Sequence, residues 1–367
     1  MTPLEREIRS IIASEGPITL ERYMELALTH PVHGYYMSRD PFGASGDFTT
    51  APEISQMFGE LLGLWAAEVW TVMGAPSPIR LVELGPGRGS LMADALRAAR
   101  VVPGLVAALD VHLVEASPVL AEAQHALLAK AKAPITWHNR VEDVPRGPAI
   151  VIANEFFDAL PVRHYVKTPK GWCERLVGLR DDRLAFGVTE RPDPSIAVPA
   201  QDGTILEIGA AAHLYMARLA RRLASQGGAA LIIDYGHTQT SLGATLQALK
   251  AHCFVQPFET PGEADLTAHV DFAALGRAAR AGGVAVHGPV TQGALLAALG
   301  IFERAEGLKG RASEIQREAV DAALKRLVTE DDVNMGKLFK ALAVADARLP
   351  APAGFISNHQ TRPPRRR

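Results

Sequence analysis

The residues Ile79–Leu91 combine a short strand, a glycine-rich turn and the start of a helix. The strand ends in a carboxylate, Glu83, and glycines then occupy alternate positions: Gly85, Gly87 and Gly89. Glycine tolerates positive φ angles and lets a ligand come close to the backbone. Strand, turn and helix in this order form the first unit of a nucleotide-binding α/β sheet. We therefore predict an open α/β sheet with a ligand site at this turn.

The spacing of the glycines indicates which ligand binds. A dinucleotide site uses G-x-G-x-x-G, which would place a glycine where this chain has Ser90. The pattern here is Glu-x-Gly-x-Gly-x-Gly from Glu83, with Arg88 inside the turn. It resembles motif I of the S-adenosylmethionine-dependent methyltransferases, whose cofactor has no pyrophosphate. A structural glycine-rich turn in another α/β protein is the alternative.

A second carboxylate, Glu115, follows the apolar run Leu105–Val114 and so stands at the end of the next strand. At this place an acid can accept hydrogen bonds from both hydroxyl groups of a ribose. We predict that Glu115 contacts the cofactor. A solvated acid at a strand end is the alternative.

The apolar strand Ala149–Ala153 is followed by three polar side chains, those of Asn154, Glu155 and Asp158. In open α/β sheets, ligands bind beyond the carboxyl ends of the strands. These three residues are therefore predicted to lie at the ligand edge. Capping of the following helix or turn is the alternative for Asn154 and Asp158.

Composition restricts the class of protein. The 367 residues are 48% apolar and 21% charged, with a net charge of −2, which is typical of a globular protein and gives no support for a nucleic-acid surface. Membrane insertion is not expected, because no apolar run reaches spanning length. Two cysteines without metal-ligand spacing predict a reducing compartment, and acids near the N-terminus argue against a transit peptide, so we expect a cytoplasmic, bacterial protein. Homo-oligomerisation stays open.

The chain shows a glycine- and aromatic-rich loop from Val32 to Pro52. Loops of this length are usually functional or disordered, and the aromatic residues favour function. We predict a lid over the site, with Tyr36, Asp47 and Phe48 as its substrate-facing residues. After it, Thr50 and Glu53 have the spacing of a capping box that opens a long helix.

Periodicity and turn signals suggest how the chain is organised. Residues 162–191 alternate in polarity and predict a β hairpin that extends the sheet, and Met335–Ala345 is predicted to be helical. The expected segments are N-terminal helices with the lid at 1–75, a core at 76–290, a helical portion at 291–349 and a disordered tail at 350–367.

The sequence Asp265-x-x-x-His269-x-Asp271 contains three metal-ligand types. Asp265 and His269 are four residues apart and could share a helical face. Because no fourth ligand is near, we predict no metal. His269 is predicted to orient the substrate or act as a general base, and a structural histidine is the alternative.

Several stretches resemble one family, the MidA-like methyltransferases. They begin at Gly46, Glu83, Asn154, Asp265 and Met335 and read GDFTTAPEIS, ELGPGRG, NEFFDALP, DLTAHVDF and MGKLFK. The resemblance implies a Rossmann-like seven-stranded methyltransferase sheet with helical additions at both ends. It also implies S-adenosylmethionine as cofactor. In mitochondria the family is linked to assembly of respiratory complex I through methylation of an arginine in a core subunit, so a protein substrate is expected.

Several residues are predicted to act at the site. Glu155, with Asp158 as partner, is predicted to hold the guanidinium group, because paired carboxylates suit its planar donors. The predicted cofactor contacts are Glu83, Gly85, Gly87, Gly89, Glu115, Val141 and Asn154. A small-molecule methyltransferase and a non-catalytic assembly factor that keeps the cofactor fold remain as alternatives.

Overall fold

A computed structural model describes residues 1–41, 47 and 49–355. The strands are β1 Ile18–Thr19, β2 Ile79–Leu84, β3 Leu109–Val114, β4 Ile135–His138, β5 Ala149–Asn154, β6 Arg163–Thr168, β7 Gly171–Arg180, β8 Arg183–Val188, β9 Ile205–Ile208, β10 Gly228–His237, β11 Gln247–Lys250, β12 Cys253–Val255, β13 Asp265–Thr267, β14 Val270–Asp271, β15 Val284–Thr291 and β16 Phe339–Asp346.

The helices connect and cover these strands, and a 3-10 turn, Val141–Asp143, follows β4. They are α1 Pro3–Glu15, α2 Leu20–Thr29, α3 Tyr35–Ser38, α4 Ala51–Ile54, α5 Gln56–Val72, α6 Ser90–Ala99, α7 Leu105–Ala108, α8 Pro118–Leu128, α9 Ala210–Gln226, α10 Phe272–Ala281, α11 Gln292–Ala298, α12 Ile301–Lys309, α13 Glu314–Val328 and α14 Met335–Leu338. Across the described ranges, no helix has the length and apolar content needed to cross a membrane.

The central sheet has the strand order β15-β16-β10-β5-β2-β3-β4, and the short strand β14 pairs with the end of β10. β4, β3, β2, β5 and β10 run parallel, whereas β16 is antiparallel to both of its neighbours. This confirms the predicted Rossmann-like α/β class. Seven strands follow one another across the sheet as expected, and β14 adds an eighth. The parallel strands bring their carboxyl ends to one edge, where the predicted site residues follow β2, β3 and β5.

Both faces of the sheet are covered, which explains why its inner strands are continuously apolar. On one face α5 and α6 pack with residues such as Leu81 and Ile150, and on the other α9 and α10 pack with residues such as Val82 and Val151. The C-terminal helices α11–α13 add Leu295, among others, to the first core. The N-terminal helices α1 and α2 pack in a separate core with β7 and β13.

The predicted helix over Met335–Ala345 is wrong for most of its length. Only α14 is helical, and β16 is an inner strand of the central sheet. Its residues Ala341–Ala345 are fully buried between β10 and β15. Because both faces are buried, the run shows no alternation of polarity, and alanine favours helix in isolation. Tertiary pairing overrides that preference.

The predicted hairpin at residues 162–191 forms, as β6, β7 and β8, but it does not extend the central sheet. These strands belong to a second, antiparallel sheet with the order β1-β7-β6-β9, to which β8 is attached through β7. The partners β1 and β9 lie far away in sequence, so local alternation could not reveal them. A third small sheet has the order β12-β11-β13.

The expected capping box at Thr50 is absent. Thr50 precedes the short α4 without a capping hydrogen bond from its side chain, and the long α5 is capped instead by Ser55, which accepts from the Met57 amide at 3.2 Å. Glu53 accepts a hydrogen bond from the Ser90 hydroxyl at 2.5 Å. The Glu53 carboxylate thus connects α4 to the start of α6, beside the glycine-rich turn, and does not cap its own helix.

The predicted lid and tail are only partly described. Within the loop Val32–Pro52, the segment Tyr35–Ser38 is helical, and residues 42–46 and 48 lie outside the described part. At the other end, order extends past residue 349. The Ala353 amide donates to Glu68 at 3.3 Å, and Phe355 packs against the main core. Residues 356–367 of the expected tail are not among those described.

Candidate active site

A cavity of about 670 Å³ opens at the carboxyl edge of the parallel strands. The glycine-rich turn after β2 and the turn after β5 form part of its wall. The structure brings together most of the side chains selected from the sequence, since this wall includes Tyr36, Glu83, Gly85, Gly87, Glu115, Val141, Asn154, Glu155, Asp158 and His269.

The glycine-rich turn needs its glycines for two different reasons. Gly85 and Gly87 line the cavity with φ angles of 59° and 56°, a region that other residues rarely adopt. A Cβ atom on Gly85 would also lie 3.1 Å from the ring of Phe156. Gly89, with a φ of 88°, lies at the N-terminus of α6 and is not part of the cavity wall, so it shapes the turn.

Glu83 is buried at the end of β2, with 3% of its surface exposed. Its Oε2 atom is buried and has no hydrogen-bond partner in the described part of the chain. Burial, together with the nearby carboxylate of Glu115, raises the pKa of Glu83 well above its ordinary value. A buried acceptor without a donor is costly, so this atom indicates that a ligand donor belongs here.

Glu115 is fixed from two sides. Its Oε1 accepts from the Ser117 amide at 2.8 Å, and its Oε2 accepts from Gln124 Nε2 at 3.0 Å. The same Gln124 nitrogen donates to the carbonyl oxygen of Gly87 at 2.7 Å. Burial raises the pKa of Glu115. The carboxylate is thereby held in a defined position relative to the glycine-rich turn.

Glu155 begins the turn after β5 with a φ of 50°, an uncommon angle for a residue with a side chain. Its Oε1 accepts from the Ala51 amide at 3.3 Å and from Asn154 Nδ2 at 3.1 Å. Burial, followed by the charge of Asp158, raises the pKa of Glu155 to about 8. Such strained turns often occur at functional sites. The side chain is thus directed into the cavity by neighbours on both sides.

Asp158 is nearly buried, with 6% of its surface exposed. Its Oδ2 accepts from the Tyr235 hydroxyl at 2.6 Å, whereas its Oδ1 is buried without a partner among the described residues. Burial raises the pKa of Asp158 to about 6. The Tyr235 hydroxyl therefore occupies one oxygen of Asp158, and the other buried oxygen is left for a ligand.

Asp234, in β10, was not selected from the sequence as a site residue. Its Oδ2 accepts from the amides of Phe156, Phe157 and Asp158 at 3.2, 2.9 and 3.2 Å. Burial and the neighbouring carboxylates raise the pKa of Asp234 well above its ordinary value. Its position after the apolar residues 229–233 was a partial signal in the sequence, but its contact with the turn after β5 depends on the pairing of β10 with β5.

Asp265 is a further acid of the cavity wall. Its Oδ1 accepts from the Tyr36 hydroxyl at 2.9 Å, which places the predicted lid residue Tyr36 beside the site. Burial, followed by the charge of Asp158, raises the pKa of Asp265 to about 8. The sequence suggested this residue only as a metal ligand, because its approach to Asp158 depends on the tertiary fold.

His269 lies in the connection between β13 and β14, not on a helix, so the expected helical face shared with Asp265 is wrong. Its ring packs edge-on against Tyr235, with 5.5 Å between the ring centroids. Burial lowers the pKa of His269. Within the described ranges, no group of three histidine, cysteine or acidic residues is arranged to hold a metal ion.

Asp47 and Val141 differ in their relation to the cavity. Asp47 is not in the wall, and it accepts from the Tyr35 hydroxyl at 2.6 Å and from the Ala251 amide at 2.5 Å. Val141 lines the cavity at the 3-10 turn. The predicted lid residue Phe48 lies outside the described residues.

The site fits S-adenosylmethionine. The partnerless Oε2 of Glu83 requires a donor, such as an amino group. The backbone of Gly85 and Gly87 forms part of the cavity wall without a side chain, and the fixed carboxylate of Glu115 can accept from ribose hydroxyl groups. Together, fold and site define the class of S-adenosylmethionine-dependent methyltransferases.

Comparison with known proteins gives the same result. A family model described as "Putative S-adenosyl-L-methionine-dependent methyltransferase" matches residues 61–290. The chain belongs to this family, and its expected activity class and cofactor are confirmed.

Individual relatives cover nearly all of the chain. "Protein arginine methyltransferase NDUFAF7, mitochondrial" from Danio rerio is 39% identical over 372 residues, covering 94% of this chain and 87% of that protein. The protein of the same name from Homo sapiens is 40% identical over 341 residues, covering 86% and 77%. A Burkholderia thailandensis protein crystallised with S-adenosyl-homocysteine matches with a TM-score of 0.84 at 29% identity, covering 97% of this chain and 94% of that chain.

Proposed function

We propose that this methyltransferase acts on an arginine side chain of a protein. The observation that carries the proposal is the convergence of Glu155, Asp158 and Asp265 on one cavity, with one buried oxygen of Asp158 left without a partner. A guanidinium group brings a permanent positive charge and five N–H donors, which match such a set of acceptors. The names of the relatives from Danio rerio and Homo sapiens support the same acceptor.

Glu155 and Asp158 are proposed to bind and orient the guanidinium group. Paired charge-assisted hydrogen bonds would hold the group in one plane and direct one nitrogen toward the donor side of the cavity. Bound S-adenosylmethionine supplies a methyl group on a positively charged sulfur. As the new N–C bond forms and the C–S bond breaks, the sulfur keeps the electron pair, and the nitrogen releases a proton that Glu155 can accept.

His269 has a subsidiary role in this proposal. The residue lines the cavity beside Tyr235, and burial lowers its pKa, so that its ring is neutral at physiological pH. A neutral imidazole can accept a hydrogen bond from the acceptor. We propose that His269 orients the substrate while the carboxylates bind its charge.

The resemblance to the MidA-like family and the names of the relatives extend the proposal to the partner. We propose that the acceptor arginine belongs to a subunit of a respiratory complex, and that methylation assists assembly of that complex. A reducing location such as the bacterial cytoplasm is proposed because Cys173 and Cys253 are both free thiols.

The test compares the proteome of the source organism with and without this gene. Methylated peptides are identified by mass spectrometry, and the purified protein is then supplied with S-adenosylmethionine and the unmethylated candidate. The proposal expects a mark on arginine that disappears with the gene and is restored in vitro. A small-molecule methyltransferase is the second candidate, because the carboxylates are deep enough to bind a small cation. It would be supported by a methylated metabolite and no change in any protein.

A further inference from the structure

Two residues from distant parts of the chain meet at the acceptor side of the cavity. Tyr36 lies in α3 near the N-terminus, and Asp265 begins β13. The Tyr36 hydroxyl donates to Asp265 Oδ1 at 2.9 Å, and both residues line the cavity. Asp265 is buried, with 5% of its surface exposed. A buried carboxylate with a dedicated tyrosine donor is thus held at the site.

The backbone around Asp265 is fixed relative to the turn that carries Glu155 and Asp158. β13 pairs along its length with β11, so that Asp265 lies opposite Leu249. Beyond β13, the Ala268 amide donates to the carbonyl oxygen of Asp158 at 3.0 Å. These bonds hold the two acidic segments next to each other, and the charge of Asp158 contributes to the raised pKa of Asp265.

The partnerless Oδ1 of Asp158 gives an independent indication of a ligand beside this acid cluster. Asp158 is more than nine-tenths buried and forms part of the same wall as Asp265. One donor group placed between them could be shared by two carboxylates. Acceptor oxygens of Asp158 and Asp265 therefore belong to the same cavity wall as Glu155.

We propose that Asp265 binds the acceptor together with Asp158 and Glu155, that Tyr36 is its positioning residue, and that this pair makes the pocket selective for guanidinium over ammonium. The proposal rests on the proposed function and adds a determinant of specificity to it. A guanidinium group carries donors along several edges of a plane and can engage separate carboxylates at once. The compact ammonium group of lysine cannot span the same acceptors.

The experiment measures peptide binding by calorimetry in the presence of S-adenosylhomocysteine. The probes are acetyl-Gly-Arg-Gly-amide and its lysine and norleucine counterparts. We expect wild-type protein to bind the arginine peptide most tightly and the norleucine peptide least. Asp265→Asn should weaken arginine binding about tenfold and lysine binding less, since it removes one charge-assisted contact that only the planar group uses fully.

Tyr36→Phe is the milder variant, because it removes one hydroxyl and keeps the carboxylate. It should reduce the preference for arginine over lysine several-fold, while the affinity for S-adenosylhomocysteine and the melting temperature stay near those of wild type. Glu263→Gln is the matched control. It removes a charge two residues from Asp265, but this side chain is 39% exposed and pairs with Lys250, so peptide binding should not change.

The outcomes separate the two levels of the proposal. If both variants, Asp265→Asn and Tyr36→Phe, keep the wild-type preference for arginine over lysine, the proposed role of this pair is overturned. The proposed function would remain intact. Equal loss of arginine and lysine binding would also overturn it, since the residue would then act only through its charge. If wild-type protein binds S-adenosylhomocysteine but shows no preference for arginine, the proposed function fails as well.

Discussion

The Ser117 hydroxyl donates a hydrogen bond of 2.6 Å to the carbonyl oxygen of Tyr36. The amide of the same Ser117 donates to Glu115, the carboxylate assigned to the cofactor. Tyr36 in turn donates through its hydroxyl to Asp265 on the acceptor side. One continuous set of hydrogen bonds therefore joins the two halves of the site through α3.

This connection predicts a combined effect of Ser117→Ala. The variant loses the bond to Tyr36 and also the capping bond to the Leu120 amide, which alone costs about 1 kcal/mol of stability. We expect weaker binding of both S-adenosylhomocysteine and the arginine peptide, each by about three- to tenfold, as measured by calorimetry.

Ser313→Ala provides the control for this change. Ser313 caps α13 through a complete capping box and is not part of the cavity wall. The control should lose a comparable amount of stability, about 1 kcal/mol, without a change in either affinity. Equal effects of the two variants on ligand binding would show that the hydrogen bond from Ser117 to Tyr36 does not contribute to binding.

Replacement of Gly85 tests the cofactor site. Gly85→Val adds a branched side chain at a φ of 59° and places a Cβ atom 3.1 Å from the ring of Phe156. Binding of S-adenosylhomocysteine should weaken by about 100-fold or more, equivalent to about 2.7 kcal/mol. Gly187→Val in β8 is the control, because nothing lies within 4 Å of its added Cβ. Binding of NAD with no binding of S-adenosylhomocysteine would contradict the assignment.

Glu155→Gln separates chemistry from cofactor binding. The change keeps the shape of the side chain and removes its charge and its capacity to take the proton. Single-turnover methyl transfer to the arginine substrate should fall by about 100-fold or more, with cofactor affinity close to that of wild type. Unchanged transfer would remove Glu155 from the mechanism, and parallel losses of transfer and binding would make it a cofactor contact.

Asp234 is predicted to fix the turn after β5, which carries Glu155 and Asp158. Asp234→Ala leaves four backbone amides without their acceptor, those of Phe156, Phe157, Asp158 and Tyr235, and should destabilise the protein by about 3 kcal/mol or more. Asp234→Asn keeps one oxygen acceptor and removes the charge that faces the other acids, so this variant should lose less stability than Asp234→Ala. Denaturant unfolding of both variants checks this, and equal losses would contradict the assigned role.

The raised pKa of Glu155 predicts how stability depends on pH without ligand. The carboxyl group, which faces Asp158, Asp265 and Asp234, has a pKa of about 8 in the folded chain against 4.5 for the ordinary side chain. Between these values the unfolded chain has released a proton that the folded chain retains, so stability decreases as pH rises through this window. The melting temperature of Glu155→Gln should fall less than that of wild type from about pH 5 to about pH 8. Equal decreases in the melting temperatures of the two proteins would contradict the raised pKa of Glu155.

The sequence was sufficient for the cofactor half of the site because its signals are local. Glu83 and the glycines lie within one short motif, and Glu115 follows directly from an apolar strand. The cavity contains all of these except Gly89. Residues that follow the carboxyl end of a parallel strand lie at the ligand edge of the sheet, so the positions of Asn154 and Glu155 could be predicted as well.

The acceptor half could be predicted only in part. The contact between Tyr36 and Asp265 joins residues more than 200 positions apart, and no periodicity in either segment refers to the other. The role of Asp234 depends on β10 lying beside β5. Helical spacing even suggested the wrong backbone for Asp265 and His269. Such contacts are properties of the assembled sheets and of no single stretch.

The position of β16 has a consequence for biosynthesis. This strand lies inside the central sheet, yet it is made after nearly all of the other elements. Until residues 339–346 leave the ribosome, β10 and β15 have no partner between them, and each presents an open strand edge that can pair with other chains. A stop codon in place of residue 338 would spare every residue of the cavity wall except Leu338 and Phe339, and the resulting chain would still lack the strand that joins β10 to β15.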